Sequence, residues 1–390
     1  MKNTDALQKQ LVKIRRHIHQ YPELGNQEYK TSAFITSVLR SEGIATKTIA
    51  GTGVIGLIQG KKGSGKTIAL RADMDALPIH EQTKKSFSSR RPGIMHACGH
   101  DANTAIVIGA GIDLFQRRAE FSGTVKLVFQ PNEESAGGAK KMIAAGALIR
   151  PAVDAIVGVH VSPWLKAGTL GIKYDEMMAA VDRFTIEIRG EGGHGAYPHL
   201  SVDAIVVATQ VVAAIQTIVS RQISPVDPVV VSIGTITGGE RYNIICSQVR
   251  MEGTVRTLND VVRRRVKTLM ERELKHITAA YGARYVLKYE NLGNALKNSR
   301  PILEICKLAG ESFLGVPQVK VLDKPSMGGE DFAEYLQKVP GCFIYFGTAP
   351  RKAYPWHHAC FDIEERALSR GSLLLSRIAQ DYLSGGAPRE

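Results

Sequence analysis

Cysteine is scarce in this chain, with five residues in 390: Cys98, Cys246, Cys306, Cys342 and Cys360. An odd number of scattered thiols argues against a disulfide framework. No apolar run reaches the roughly 18 residues that span a bilayer. The polar N-terminus "MKNTDALQKQLVKIRRHIHQ" lacks the apolar core of a signal peptide. Together these absences read as a cytoplasmic protein with no membrane partner. Internal repeats and low-complexity tracts are missing too. The net charge of +13 invites a nucleic-acid reading, but the lysines and arginines are spread along the chain with no reader motif or aromatic-basic interleaving. Nucleic acid is therefore set aside in favour of a basic surface that attracts anionic small molecules.

What is present is an ordinary globular composition, 44% hydrophobic and 22% charged. The length exceeds one ordinary core and predicts two domains, one of them interrupted. Residues 5–20 and 27–42 read as helices, and "GVIGLIQG" and "TIALRAD" as strands. Helix "DANTAIVIGAGIDLFQRR", with Asp101 as candidate N-cap, precedes strand "GTVKLVFQP", helix "GGAKKMIAAGAL" and strand "DAIVGVHV". This alternation predicts an α/β layer with a mostly parallel sheet. After residue 180 the order becomes strand, helix, strand, strand, helix, strand, a small split βαβ unit of α+β type. The expected organisation is a catalytic-type α/β domain over 1–179 and 291–390, interrupted by an inserted ferredoxin-like α+β domain over 180–290.

"GKKGSGKT", Gly60 to Thr67, matches the phosphate-binding P-loop pattern letter for letter. A P-loop needs a helix directly after it, to hold the phosphates at its N-terminus. Here "TIALRADMDALP" follows, rich in β-branched residues and reaching Pro78 with no amphipathic helix. The stretch reads as a turn between two strands, such as a hairpin.

The chemistry gathers elsewhere. "GIMHACGHDANTA" sets His96, Cys98 and His100 at alternate positions, with Asp101 next. Asp73 and Asp75 in "RADMDALP", Glu133 and Glu134 in "QPNEES", and His160 in "GVHV" each sit at or past a predicted strand end, where α/β sheets place ligands. "YPWHHACFD" adds His357 and His358. Taken singly, His160 would be a core histidine, Cys98 a small buried hydrophobe, Glu133 and Glu134 a solvated pair, and Asp101 a helix cap. Taken together, acids, imidazoles and a thiol on one sheet edge are what a divalent metal site needs.

"RADMDALP", "MHACGHD", "QPNEE", "GVHV", "GGHGAYPH", "NII…GTVRT", "MGGEDFA" and "HHACFD" resemble, in order, the motifs of the metal-dependent amidohydrolases. That family includes hippurate hydrolases, indole-acetyl-amino-acid hydrolases and N-acyl-amino-acid deacylases, within the aminoacylase and carboxypeptidase G superfamily. The resemblance runs over essentially the whole chain. It implies two divalent metals per subunit, manganese first, with zinc, cobalt or nickel as alternatives. Cys98 would bridge them, His100 and His160 completing one site and Glu134 and His357 the other. The implied reaction is hydrolysis of the amide of an N-acyl, chiefly N-acetyl, amino acid by metal-bound hydroxide, with Glu133 as general base. Asp75 would orient this machinery. His194 reads in isolation as a surface-loop histidine; the resemblance makes it a stabiliser of the oxyanion, reaching across a homodimer formed through the inserted domain. Asn243 and Arg256 would hold the substrate carbonyl or α-carboxylate. Asp73, Glu330 and Asp331 receive no role.

The chain departs from the family pattern in three places. Asn103 stands where "MHACGHD-x-H" has its last histidine, Cys246 replaces a proline, and Trp356 precedes the candidate ligand His357. Activity is expected to survive these, with altered packing or substrate preference. Two rival readings are a cysteine hydrolase built on Cys98 and a non-catalytic binding protein on the same fold. The first leaves Glu133, Glu134 and His357 unexplained. The second would be marked by loss of the base or a ligand, and none is lost.

Overall fold

The computed structural model describes residues 2–385. Its chain divides into two compact units. One takes in the chain up to Met177, the segment Lys297–Lys324 and the chain from Asp331 onward; the other comprises Met178–Leu296 and Pro325–Glu330.

The first unit is an α/β layer on an eight-stranded mixed sheet. Across it run Ala45–Ile49, Gly53–Gln59, Thr124–Gln130, Thr67–Asp73, Ala155–Lys166, Gly341–Ala349, Leu170–Ile172 and Val319–Val321. The central strands, from Thr124–Gln130 to Gly341–Ala349, are mutually parallel. Thr67–Asp73 is buried at every position, as a strand covered on both faces must be. The helices Lys2–Gln20, His100–Gln116 and Leu368–Leu383 pack together over the sheet, and Leu11, Ile106, Leu127, Phe346 and Leu375 share one core.

Two sequence readings are corrected here. The strands flanking the Gly/Lys-rich turn do not form a hairpin, because Thr124–Gln130 lies between them. A strand follows the turn and no helix does, so the P-loop geometry is absent. The other correction concerns Asp101, which is not the N-cap of its helix. Gly99, at φ 92°, caps helix His100–Gln116, and the Asp101 carboxylate is drawn instead to Arg15 (2.7 Å) and His19 (2.8 Å).

The second unit carries a four-stranded antiparallel sheet in the order Val229–Gly238, Gln248–Thr257, Ala180–Arg189, Arg284–Gly293. Helices Ala204–Thr217 and Asp260–Ala280 pack on it, around a separate core that includes Phe184, Val211, Met251, Val266 and Leu274. Side chains cap both helices: Asp203 accepts from the Ile205 and Val206 amides, and Asn259 from that of Val262. The first helix runs on through a π turn, Ile218–Gln222. By length and composition the 19-residue stretch Ala204–Gln222, of mean hydropathy 1.6, suffices to cross a membrane. Thr209, Gln210 and Gln216 break this run in the sequence. In the structure Val207, Val211 and Ile215 pack into the unit's own core.

Candidate metal centre

Each candidate ligand is delivered by a short, well-fixed turn. Thr67–Asp73 ends at Asp73, and Asp75 follows two residues later. After Thr124–Gln130, Asn132 takes a left-handed conformation (φ 55°), which its short polar side chain tolerates, and turns the chain into Glu133 and Glu134. Its amide donates to Oε1 of the buried Glu28 (2.9 Å). Between Cys98 and His100, Gly99 combines a left-handed φ with close approach: a Cβ there would lie 2.4 Å from Cγ2 of Val161. His357 is also left-handed (φ 65°), and its amide donates to the Ala97 carbonyl (2.9 Å). His160 departs from the strand-end reading, since its strand continues to Lys166. The ladder to Thr67–Asp73 stops at the Arg71–Gly158 pair, however, so His160 lies beyond the bonded part of that edge while still paired to Tyr345 on the other side.

Within the first unit, three groups of potential ligand atoms result among the described residues, each with all members within 4.8 Å of one another: Cys98, His100 and His160; Cys98, Glu134 and His357; and His100, Glu133 and Glu134. The first two share the Cys98 thiol. Cys98 Sγ lies 3.5 Å from His160 Nε2, and His357 Nε2 lies 3.3 Å from Glu134 Oε1. His100 directs Nδ1 to the Asp75 carbonyl (2.9 Å) and carboxylate (3.2 Å), while the other Asp75 oxygen accepts from the Glu134 amide (3.1 Å). His100 Nε2 is buried and has no hydrogen-bond partner. Carboxylate oxygens of Asp73 and Glu134 stand at 3.8 and 3.9 Å from it. A buried imidazole nitrogen left without a partner beside a thiol and carboxylates fits a bound cation and is otherwise costly.

The electrostatics agree. Burial alone would lower the His100 pKa, but the carboxylates of Asp73, Asp75 and Glu134 raise it to about 10. A hydrogen bond to Glu134 likewise raises His357 against burial. Burial lowers His160 to about 4. Burial, with Glu134, Glu133 and Asp73, pushes the Cys98 thiol well up. The carboxylates thus collect protons on their neighbours, as a site shaped for added positive charge does.

Around this cluster lies a network that pattern reading did not single out. Arg71, fully buried, joins Asp73 (2.8 Å) to Asp331 (3.2 Å) and reaches Gln130 (2.9 Å). Asp331 also accepts from Gln130 (2.7 Å) and from the Ala139 amide (2.9 Å), and burial lifts its carboxyl to about 6 against the pull of Arg71. A charged residue inside a buried strand was the one available signal for Arg71. His96 stands apart from the cluster. It is buried, neither ring nitrogen has a hydrogen-bond partner, and burial lowers it to about 3. His358 is exposed and stacks on Tyr354.

The remaining sequence candidates lie in the second unit. His194 is exposed in a two-residue strand paired with Ile244–Ile245, and its Nδ1 accepts from the Ala196 amide (3.1 Å). Asn243 is its neighbour, its carbonyl accepting from the Gly195 amide (2.9 Å). Arg256 turns its guanidinium to Thr254 Oγ1 and the Val255 carbonyl within its own strand. Glu330 belongs to this unit as well, whereas Asp331 belongs to the first.

Fold and ligand set together define a metallohydrolase, and the sequence comparisons identify which. The model of peptidase family M20/M25/M40 matches residues 69–381, and the chain belongs to that family. It is 42% identical to an N-acetyl-L-cysteine deacetylase of Bacillus subtilis, over 98% of this chain and 90% of that protein. It is also 42% identical to an N-acyl-L-amino acid amidohydrolase of Geobacillus stearothermophilus, over 73% of this chain and 77% of that protein. The crystal structure of the Bacillus subtilis YXEP protein, described as a dinuclear metal-binding peptidase of the M20 family, superposes with a TM-score of 0.87. That pair shares 39% identity, over 97% of this chain and 99% of the other.

Proposed function

We propose that this chain hydrolyses the amide bond of N-acyl amino acids, chiefly N-acetyl ones, releasing a carboxylate and a free amino acid. It is a metal-dependent amidohydrolase. The observation that carries the reading is the meeting of Cys98, His100, His160, Glu134 and His357 as two ligand groups sharing one thiol, with Glu133 at their edge. The orphaned His100 Nε2 and the mixed sulfur, nitrogen and oxygen donor set fit divalent ions such as zinc, cobalt or nickel, and manganese is put first on the family resemblance alone. Held by these residues, such ions would supply Lewis acidity to the amide carbonyl and a water acidified toward a pKa of about 7.

The chain's own residues do the rest. Glu133 takes the proton from the attacking water and carries it to the amide nitrogen as the C–N bond breaks. Asp75 holds His100 and the Glu134 backbone with its two oxygens, so one carboxylate sets the positions of two ligands. To the second unit we assign His194 for the developing oxyanion and Asn243 and Arg256 for the carbonyl and α-carboxylate. We further assign to that unit a lid role and the interface of a homodimer. Its strand Val229–Gly238 ends the sheet with one edge unpaired; Ile236 on that strand is exposed, as are Val206 and Ile205, whose Cδ1 would lie 3.5 Å from a Cβ on Gly239 just past the strand. A cytoplasmic setting suits the five free thiols.

A cysteine hydrolase is less well supported. Cys98 and His160 are 3.5 Å apart, but burial and three carboxylates keep the thiol protonated unless a cation is present. The test is amine release from a panel of N-acyl amino acids by manganese-loaded and chelator-stripped protein. The proposal expects turnover that vanishes on stripping and returns with metal; turnover indifferent to complete stripping defeats it.

A further inference from the structure

Val161 directly follows the candidate ligand His160, and every polar group of its backbone is taken by a side chain from another part of the site. The ladder from this strand to its parallel neighbour Thr67–Asp73 stops at the Arg71–Gly158 pair, so beyond Gly158 this edge has no ladder partner. Its amide donates to Asn103 Oδ1 (2.8 Å). Its carbonyl accepts from Trp356 Nε1 (3.1 Å) and faces His160 Nδ1 at 2.9 Å. Its Cγ2 lies where a Cβ on Gly99 would stand. Asn103 sits on the helix that begins with His100, Trp356 precedes His357, and Gly99 separates Cys98 from His100. Two other ligand-bearing segments, 98–103 and 356–357, therefore converge on the residue beside His160.

The hydrogen-bond directions are forced. A carbonyl oxygen only accepts, so His160 Nδ1 carries the proton and Nε2, facing Cys98, keeps its lone pair. The Asn103 amide is equally fixed: its oxygen accepts from Val161, and its nitrogen donates to Asp73 Oδ1 (2.8 Å). The Trp356 ring stands edge-on to that of His160, with centroids 5.3 Å apart at 85°, and limits its rotation.

We propose that Asn103 and Trp356 form a coupled pair of positioning residues that clamp the Val161 peptide and thereby fix the tautomer and direction of His160. These are two of the positions where the chain departs from its family's pattern, and they meet on one peptide group. The inference rests on the two-ion reading above. Asn103 also steadies Asp73, so it ties the clamp to the carboxylate facing His100.

The test is titration of the metal-free protein with cobalt(II), followed by calorimetry and by the visible and thiolate charge-transfer absorption. Wild type is compared with W356F, which keeps a ring and loses the donor, with N103L, and with the double variant. The clamp predicts that each single variant weakens one of the two binding events by about 10- to 100-fold and alters the cobalt spectrum, with the other event unchanged. In the double variant the losses combine to less than their product, because both act on one peptide. Wild-type affinities and spectra in W356F, equal weakening of both events, or strictly multiplicative losses overturn the clamp. W356F decides the matter alone if N103L fails to fold. A wild type that binds fewer than two ions defeats the two-ion reading instead.

Discussion

Loading the metal-free protein with divalent ions at pH 7 should expel about two protons, a number set by the ligands' own pKa values. His100, held at about 10 by Asp73, Asp75 and Glu134, is an imidazolium at that pH, and Cys98, pushed up by burial and the same carboxylates, is a neutral thiol. Both must lose a proton before binding a cation. His357, raised by Glu134, adds a further fraction that grows as the pH falls. His160, at about 4, arrives already neutral and contributes nothing. Each expelled proton changes the apparent affinity tenfold per pH unit, about 1.4 kcal/mol, so two give roughly 100-fold per unit around neutrality. Binding weakens toward acid and strengthens toward base until the His100 contribution fades near pH 10. Calorimetric titrations in buffers of different ionisation enthalpy count the protons directly. Affinity that is independent of pH between 6 and 8, or heats that do not vary with buffer, would refute the reasoning.

Replacing Glu133 by Gln removes the proton carrier and should cost about 10²- to 10⁴-fold in amide hydrolysis, with both metals still bound when counted by elemental analysis. Gly99→Ala forces a Cβ to 2.4 Å from Val161 and a side chain into a left-handed φ of 92°; melting curves should show a loss of about 1–3 kcal/mol, with weaker metal binding. A metal-free sample should lose stability as pH rises from 6.5 toward 10, because a folded-state pKa above the unfolded one favours the fold only while His100 is protonated. Thermal melts of the metal-loaded protein should lack that decline. Ile236→Lys, placed on the unpaired strand edge, should convert the proposed dimer to monomer in light scattering, and an unchanged mass would remove the edge from the interface.

The residues that cluster as candidate ligands were legible because they stand in compact motifs: a thiol and an imidazole two positions apart, paired acids after a strand, a histidine ahead of another. The α/β alternation and the split βαβ unit were legible because each element has enough apolar periodicity of its own. Pairing between distant strands was not. Thr124–Gln130 inserts between two strands joined by a short turn, and nothing local in "GKKGSGKT" announces it. The strand Ala45–Ile49 was missed because it is mostly exposed and alternates weakly. His96 shared the spacing of Cys98 and His100 yet joins none of the ligand groups, since alternation keeps residues on one face only within a regular strand, and residues 96–99 form none. Asp101 looked like a cap because its partners, Arg15 and His19, lie more than 80 positions away. The Val161 clamp involves backbone groups, which a list of side chains does not show.

Arg15 also joins Asp362 (3.1 Å) and Glu365 (3.1 Å) to Asp101, so a single guanidinium holds together the beginning, the middle and the end of the chain. This imposes an order on biosynthesis. Cys98, His100 and His160, the first proposed ligand group, emerge from the ribosome well before His357 and the acids that complete the Arg15 knot. A nascent or prematurely terminated chain therefore lacks both the last ligand of the second group and the lock that fixes the first helix. Such a copy would present only the first of the two proposed ligand groups beside an unlocked first helix, so closure of the proposed site waits on the segment that carries His357, Asp362 and Glu365.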